Sequence, residues 1–115
     1  MEDCVFCKII NGEIPSKRYY EDDYMIIIAD IAPKANKHYL AIFKKHYKFF
    51  ADMTDEDAVV LGKCLKKIGE LAPSLGLEGG FRVIVNQGDD AMQTVPHIHI
   101  HLLGGQKLIE TDYKK

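Results

Sequence analysis

Three histidines recur at every second position in one short segment of the chain. His97, His99 and His101 alternate there with aliphatic residues. Successive side chains of a β-strand point to opposite faces, so the histidines would share one face of a strand and the aliphatic residues the other. Imidazoles are costly to bury without partners, whereas near neutral pH they transfer protons, attack electrophiles and bind metals. The pattern predicts a strand with a chemically active face, the alternative being a half-exposed strand whose histidines have no role.

A polar loop directly precedes this strand and supplies candidate partners for an anion. It runs from Asn86 to Gln93, and Thr94 follows it. Amide and hydroxyl groups donate hydrogen bonds, so these side chains are suited to hold charged oxygens beside the imidazoles. One imidazole would then attack phosphorus or a carbonyl while a neighbour assists proton transfer. Asn86 taken alone is equally typical of a turn.

The bulk properties of the chain limit the classes of protein to which it can belong. Its 115 residues fit a single domain over residues 1–115, and 47% of them are hydrophobic, enough for a core without disulfides. The net charge is −2 and the pI is about 6.2, so nucleic acid is not expected as the main partner. The sequence has no apolar run of about 18 residues, so we expect no membrane span.

The cysteine content and the acidic start of the chain predict a cytoplasmic location. Three cysteines are too few, and odd in number, for a disulfide scaffold. Residues 1–4 include two acidic residues and lead into no long apolar segment, so no secretory signal is expected.

The apolar pattern and the turn residues predict short strands around one long helix. Residues 5–10 are expected to form a short helix and residues 46–50 a single helical turn. Besides the histidine strand, runs rich in β-branched and aromatic residues predict strands over residues 17–21, 24–29, 38–43 and 81–85. Short strands joined by turns, with one main helix, predict an α+β fold with an antiparallel sheet.

The long helix has start and stop signals. Thr54 followed by Asp57 resembles a capping box, and Pro73 is expected to end the helix. Apolar residues recur between them at intervals of three and four, which predicts one buried stripe. That stripe comprises Ala58, Leu61, Cys64, Leu65, Ile68 and Ala72.

A Cys-x-x-Cys pair near the start of the chain is a second candidate site. Cys4 and Cys7 are compatible with a metal, with redox chemistry or with ordinary reduced thiols. A structural zinc site needs four ligands, and His46 and His97 are candidates for the other two. The spacing alone does not show that the four residues meet.

The segment from Gln93 to Gly105 resembles the signature of the histidine triad (HIT) family, His-x-His-x-His followed by two apolar residues. Further stretches agree in order, so that the resemblance covers about residues 5 to 105 and leaves residues 106–115 as a tail. The third histidine and the Gly104-Gly105 ending resemble the Hint branch of the family, the nucleoside phosphoramidases. The other matching stretches are Phe6–Ile10, Glu13–Pro15, Tyr20–Asp23, Asp30–Pro33, His38–Leu40 and Asn86–Gly88.

The resemblance implies a fold, an assembly and an activity. The fold would be a five-stranded antiparallel sheet with one long and one or two short helices, paired across a homodimer. The activity would be nucleotidyl transfer from purine nucleoside monophosphate derivatives through a covalent histidine intermediate. His99 would be the nucleophile, flanked by His97 and His101, with His38 as a fourth active-site histidine.

The resemblance also implies binding residues. Asp30 and Ile31 would hold the ribose and the base, and Met92 stands where the family has a glycine in the phosphate-binding segment. The residues contacting the phosphate or the leaving group would be Asn86, Gln93, Thr94, His99 and His101. Some bacterial members bind zinc through positions that correspond here to Cys4, Cys7, His46 and His97, with zinc in a structural role.

Other functions remain open on the sequence. The nearest alternative is a dinucleoside polyphosphate hydrolase of the same family, against which the Gly104-Gly105 ending argues. A nucleotide-binding regulatory module with vestigial catalysis and a zinc-stabilised interaction protein belong to different classes. A turnover assay separates the enzymes from both.

Overall fold

A computed structural model describes residues 4–110 of the chain. The acidic residues 1–3 and the last part of the predicted tail, residues 111–115, lie outside the described residues. Two helices and five strands make up the framework. They are α1 (Val5–Ile10), β1 (Arg18–Glu21), β2 (Met25–Ala29), β3 (Lys37–Phe43), α2 (Asp55–Leu71), β4 (Phe81–Ile84) and β5 (His99–Gly104).

The five strands form one antiparallel sheet in the order β1-β2-β3-β5-β4. The predicted α+β fold with a five-stranded antiparallel sheet is therefore confirmed. β5 lies between β3 and β4, where Leu40 pairs with His101 and Ile42 with His99. Directly paired residues share a face of the sheet, so the histidines of β5 lie beside the even-numbered residues of β3.

The two faces of the sheet bury different sets of side chains. One face packs against α2, and Ile98, Ile100 and Leu102 belong to that larger core, as the alternation predicts. The other face carries the histidines and a smaller apolar cluster covered by α1. That smaller cluster comprises Cys4, Phe6, Ile9, Ile26, Ile28, Leu40 and Ile42.

The start and end signals of the long helix are confirmed, whereas part of its stripe is wrong. The Thr54 hydroxyl accepts a hydrogen bond from the Asp57 backbone N–H at 3.1 Å, and a 3₁₀ turn containing Pro73 follows the helix. Ala58 and Leu65 are exposed, while Val60 and Leu71 pack against the core. The helix therefore meets the sheet on a face that is rotated towards Val60 and Leu71 relative to the predicted stripe.

Three local predictions need correction. No helical turn forms over residues 46–50; a 3₁₀ turn occupies Phe50–Asp52 instead, and another lies at Asp89–Ala91 within the polar loop. β5 begins at His99 rather than at His97. The N–H of His97 donates to the carbonyl of Val95 at 2.8 Å, so the chain is still turning at His97. The remaining strands begin or end within one residue of prediction, and no helix in residues 4–110 has the length and apolarity to cross a bilayer.

Candidate active site and metal centre

The imidazole of His99 is held in one tautomer by its own strand. Its Nδ1–H donates to the carbonyl of His97 at 2.7 Å. A neutral imidazole carries one proton, so the lone pair of His99 lies on Nε2. The residue is buried, and burial lowers the pKa of His99, which keeps the ring neutral at pH 7. His99 therefore presents a neutral, unprotonated nitrogen on the histidine face.

A chain of hydrogen bonds fixes the tautomers of His38 and His101 as well. The Lys34 backbone N–H donates to Nδ1 of His38 at 3.0 Å, which leaves the proton of His38 on Nε2. That Nε2–H donates to Nδ1 of His101 at 2.9 Å. His101 must then carry its proton on Nε2, and its ring centroid lies 5.2 Å from that of His99. The site therefore presents an unprotonated nitrogen, Nε2 of His99, and an N–H donor, the Nε2–H of His101.

Asp30 completes this side of the site. Its Oδ2 lies 3.3 Å from Nε2 of His38 and 4.0 Å from Nδ1 of His101, while its Oδ1 accepts from the Ala32 N–H at 2.7 Å. Burial lowers the pKa of His38 although the Asp30 carboxylate acts to raise it. Burial and the neighbouring histidines lower the pKa of His101 to about 4. Both rings are neutral at pH 7, with a carboxylate beside them to stabilise a transient positive charge.

The second candidate site is assembled as predicted from four residues distant in sequence. Sγ of Cys4 lies 3.3 Å from Nδ1 of His97, and Sγ of Cys7 lies 3.2 Å from Nδ1 of His46. The two Nδ1 atoms are 3.1 Å apart, and all four ligand atoms lie within 4.8 Å of one another. Tetrahedral zinc, with bonds of about 2.0 to 2.3 Å, holds its ligand atoms about 3.3 to 3.8 Å apart. The cluster matches that spacing closely enough for small side-chain shifts to complete it.

The tautomer of His97 also fits a metal ligand. Its Nε2–H donates to the carbonyl of Phe43 at 2.6 Å, so the lone pair of Nδ1 points into the cluster. Burial lowers the pKa of His97 to about 4, which keeps that lone pair available. The backbone N–H of Cys7 donates to Sγ of Cys4 at 3.3 Å, which holds that sulfur within the cluster. Two sulfurs and two imidazole nitrogens are the donor set that zinc prefers.

Asp30, His38 and His101 also converge, and their ligand atoms lie as close together as those of the cysteine cluster. A metal at Nε2 of His38 would require the proton to move to Nδ1. The Lys34 N–H already donates to Nδ1, so that proton would face another donor. This cluster therefore fits a proton-transfer chain and does not fit a metal.

A buried acid steadies the segment that carries His46. Asp57, in the first turn of α2, accepts from the hydroxyl of Tyr47 and from Nζ of Lys45 at 3.2 Å. Its own side chain is 9% exposed. Asp57 thus ties both neighbours of His46 to the helix, a role that the capping pattern alone did not reveal.

The polar loop is held in shape by hydrogen bonds of Gln93. The side-chain oxygen of Gln93 accepts from the Gly88 N–H at 2.8 Å, and its amide donates to the Lys48 carbonyl at 2.9 Å. Gln93 thus closes the loop with its own side chain, and no neighbouring histidine is among these partners. Asn86 is half-buried, whereas Thr94 is exposed beside the histidine segment. Ile31 is also exposed, at the rim next to Asp30.

Met92 adopts a backbone conformation that favours glycine. Its φ is +62°, in the left-handed region, and its side chain is 74% exposed. The loop imposes this conformation, since the N–H of Met92 donates to the Asp89 carbonyl and that of Gln93 to the Gly88 carbonyl. A side chain in this region costs about 1 to 2 kcal/mol.

We expect Met92→Gly to stabilise the protein by about 1 kcal/mol, because glycine removes the steric cost of this backbone conformation. Chemical denaturation followed by fluorescence or circular dichroism measures the change. Met92→Ala is the matched control, since it shortens the side chain and keeps the strained backbone. Equal stability of the two variants would contradict the assignment of strain to this position.

The two glycines after the triad are explained by packing. A Cβ on Gly104 would lie 2.8 Å from the side chain of Leu77 and 2.9 Å from the carbonyl of Gly80. Gly105 has a φ of +75°. These glycines allow the end of β5 to pack closely.

Comparisons with known proteins identify the family of the chain. The family model described as "Scavenger mRNA decapping enzyme C-term binding" matches residues 3–112. Protein HitA of Neisseria gonorrhoeae is 41% identical over 104 residues, which cover 90% of this chain and 97% of that protein. The chain belongs to the histidine triad (HIT) family.

Solved structures of other HIT proteins share the fold. A HIT family hydrolase from Clostridium thermocellum superposes with a TM-score of 0.90 at 43% identity, covering 97% of this chain and 98% of that one. A Zn-bound histidine triad family protein from Mycobacterium smegmatis superposes with a TM-score of 0.78 at 35% identity, covering 91% and 76%. The HIT-like fold expected from the resemblance is confirmed.

Proposed function

We propose that this HIT protein is a nucleoside phosphoramidase. It would cleave the bond between the α-phosphorus and the nitrogen of purine nucleoside monophosphate amides through a nucleotidyl-His99 intermediate. The observation that carries the proposal is the hydrogen bond from Nδ1–H of His99 to the His97 carbonyl, which leaves Nε2 unprotonated. A neutral nitrogen held on a buried face needs no further base to act as a nucleophile.

The hydrogen bonds around His99 suggest how charge is balanced during the reaction. Nε2 of His99 attacks phosphorus, a P–N bond forms, and the substrate P–N bond breaks. The departing nitrogen takes a proton from solvent and leaves as a neutral amine, while the Nε2–H of neutral His101 donates a hydrogen bond to a phosphoryl oxygen. The positive charge left on the nucleotidyl-His99 ring is stabilised by the hydrogen bond from its Nδ1–H to the His97 carbonyl and by the Asp30 carboxylate. Water then attacks the nucleotidyl-histidine, releasing the monophosphate and restoring neutral His99.

The remaining binding roles follow the same proposal. Asp30 and Ile31 would hold the ribose and the base, since one is the carboxylate beside the histidines and the other the exposed apolar residue next to it. Asn86, Thr94 and the backbone around Met92 would meet the phosphate. Gln93 would hold that segment in position, because its side chain closes the loop.

The decisive experiment traps the intermediate. The protein is mixed with adenosine 5′-phosphoramidate, quenched in base within milliseconds to seconds, digested and analysed by mass spectrometry. The proposal expects adenylate on the peptide containing His99 and release of AMP and ammonia at longer times. Turnover of the phosphoramidate without any adduct in the quenched samples would contradict the covalent route.

A dinucleoside polyphosphate hydrolase is the second candidate. The description of the matching family model names a decapping enzyme, and this favours a phosphate leaving group over an amine. Diadenosine polyphosphate run beside the phosphoramidate, each at several concentrations, ranks the two by kcat/KM. A higher value for the diadenosine compound would select the alternative and keep the same nucleophile. Nucleotide binding without turnover of either substrate would instead indicate the regulatory module.

We further propose that the chain forms a homodimer. β4 is an edge strand, and Val83 on it is exposed, as are Val59 and Leu65 on α2. A sheet edge with nearby apolar side chains is suited to pair with a second copy. Light scattering should give a mass of about 26 kDa, twice the 13.0 kDa of the chain. A monomer mass at micromolar concentration would rule the dimer out.

The cysteine cluster is proposed to hold one structural zinc ion. Cys4, Cys7, His46 and His97 would be its four ligands, which leaves no open position for a substrate or a water molecule. The ion would link α1 to the end of β3 and to the segment before β5. Support comes from the spacing and donor set of the cluster and from the Zn-bound relative.

A further inference from the structure

The aromatic ring of Phe6 lies against the imidazole of His99. Their centroids are 4.9 Å apart and the planes meet at 76°, an edge-to-face contact. Phe6 also approaches the ring of His97, at 6.0 Å and 83°. Phe6 is buried, and nothing in the residue pattern indicated that it would meet the triad.

Phe6 supplies a restraint that the other contacts of His99 do not. The hydrogen bond at Nδ1 sets the tautomer, but it holds a single atom next to the bond that joins the ring to the backbone. A single hydrogen bond tolerates bending, so small rotations of the imidazole still displace Nε2. Phe6 and His101, whose centroid is 5.2 Å away, limit this rotation. The position of Nε2 therefore depends on both neighbouring rings.

The short helix that carries Phe6 is anchored at both ends. At its start, Sγ of Cys4 contacts His97 and Sγ of Cys7 contacts His46. At its end, the Arg18 guanidinium donates to the carbonyls of Ile9 and Ile10 at 2.6 and 3.1 Å. Because both ends of α1 are held, the ring of Phe6 is kept in contact with His99.

We propose that Phe6 is a positioning residue that keeps Nε2 of His99 aimed at the substrate phosphorus. The inference deepens the proposed function, since it rests on His99 being the nucleophile. Phe6 makes no bond to the reacting atoms in this role. It acts by restricting the ring that does, and reactivity depends steeply on such alignment.

The kinetic test compares two residues of the same helix. Phe6→Leu keeps an apolar side chain and removes the flat ring, so kcat for the phosphoramidate should fall about 10- to 100-fold while KM changes little. Phe6→Tyr keeps the ring and should retain most of kcat. Ile9→Ala is the matched control, because Ile9 lies in the same buried cluster and makes none of these ring contacts. It should lower the melting temperature and leave kcat nearly unchanged.

A second measurement does not depend on activity. In the wild-type protein, proton NMR should show nuclear Overhauser effects between the rings of Phe6 and His99. In Phe6→Leu the ring signals of His99 should broaden or split as the imidazole samples several orientations, whereas in Ile9→Ala they should stay sharp. If Phe6→Leu does not fold, Phe6→Met serves in its place.

The outcomes separate the two proposals. A Phe6→Leu protein with wild-type kcat and a single sharp set of His99 signals would overturn the positioning role and leave the proposed function standing. Loss of His99 order in Phe6→Leu, with no turnover of any nucleotide substrate by the wild type, would support the positioning and overturn the function. A fall in kcat with disordered His99 signals supports both.

Discussion

His99→Ala is expected to abolish turnover of adenosine 5′-phosphoramidate, with kcat falling by about four orders of magnitude or more. The substitution removes the nitrogen that would form the covalent intermediate, and no other ring stands in the same place. The nearest, His101, has its Nδ1 occupied by the hydrogen bond from His38. Steady-state kinetics and rapid-quench mass spectrometry should agree, with no adenylated peptide in the variant.

His99→Asn is the sharper version of this experiment. The Asn amide can still donate a hydrogen bond to the His97 carbonyl, so the local backbone contact is retained while the nucleophile is lost. Binding of AMP, measured by calorimetry, should stay within a few-fold of wild type, since other residues are proposed to hold the base, ribose and phosphate. Activity above a tenth of the wild-type value in either variant would refute the role of His99.

Removal of the metal is expected to have the largest effect on stability. An ion present at about 1,000 times its Kd stabilises the folded state by about 4 kcal/mol. For a domain of this size that corresponds to a loss of about 15 °C in melting temperature on chelation. Burial and the neighbouring Cys4 raise the pKa of the Cys7 thiol to about 11, so without a metal Cys7 is held as a neutral thiol. Differential scanning calorimetry with and without chelator measures the shift.

Metal content tests the ligands directly. Elemental analysis of protein purified without chelator should give one zinc per chain, and the double substitution Cys4→Ser and Cys7→Ser should remove it. Cys64→Ala is the control, because Cys64 is buried on α2 in the other core cluster. It should retain zinc even if the core is loosened. An unchanged metal content and melting temperature in the double variant would exclude this site, without bearing on His99.

The prediction for the metal includes a comparison with the rate. Chelation at room temperature should reduce activity less than it reduces stability, because all four proposed ligands are protein side chains and the ion would not meet the substrate. The contact between Phe6 and His99 gives the centre a route to influence the rate indirectly. That influence should be visible as disorder of the His99 ring rather than as a change in chemistry.

Local periodicity determines most of the helices and strands of the fold. Alternation with a period of two placed His99 and His101 on one face and Ile100 and Leu102 on the other, because the pleat of a strand leaves no choice. Thr54 and Pro73 marked the ends of α2 because capping and the missing proline N–H are local effects. The family resemblance implied a five-stranded antiparallel sheet, and the strand order β1-β2-β3-β5-β4 came only from the structure.

Where the local pattern failed, a tertiary contact decided the outcome. His97 was predicted to lie in the strand, but its backbone N–H donates a hydrogen bond within a turn. Its imidazole contacts the Phe43 carbonyl and the cysteines. Gln93, which the resemblance assigns to the phosphate, also closes its own loop through its side chain. The side chains of His97 and Gln93 are compatible with both the predicted and the observed contacts. Only the positions of the surrounding backbone groups decide which contacts form.

The sequence by itself determined the candidate residues for the chemistry: an imidazole row, a fourth histidine and a Cys-x-x-Cys pair. It could not determine that Cys4 meets His97, 93 residues away, because that contact exists only once α1 packs on the histidine face. The tautomers of the histidines could not be predicted from the sequence either. They depend on the backbone carbonyls of His97 and Phe43 and on the backbone N–H of Lys34, and nearly every residue has such backbone groups. Only the fold brings those particular backbone groups against those particular rings, and so assigns a lone pair to His99 and another to the cysteine cluster.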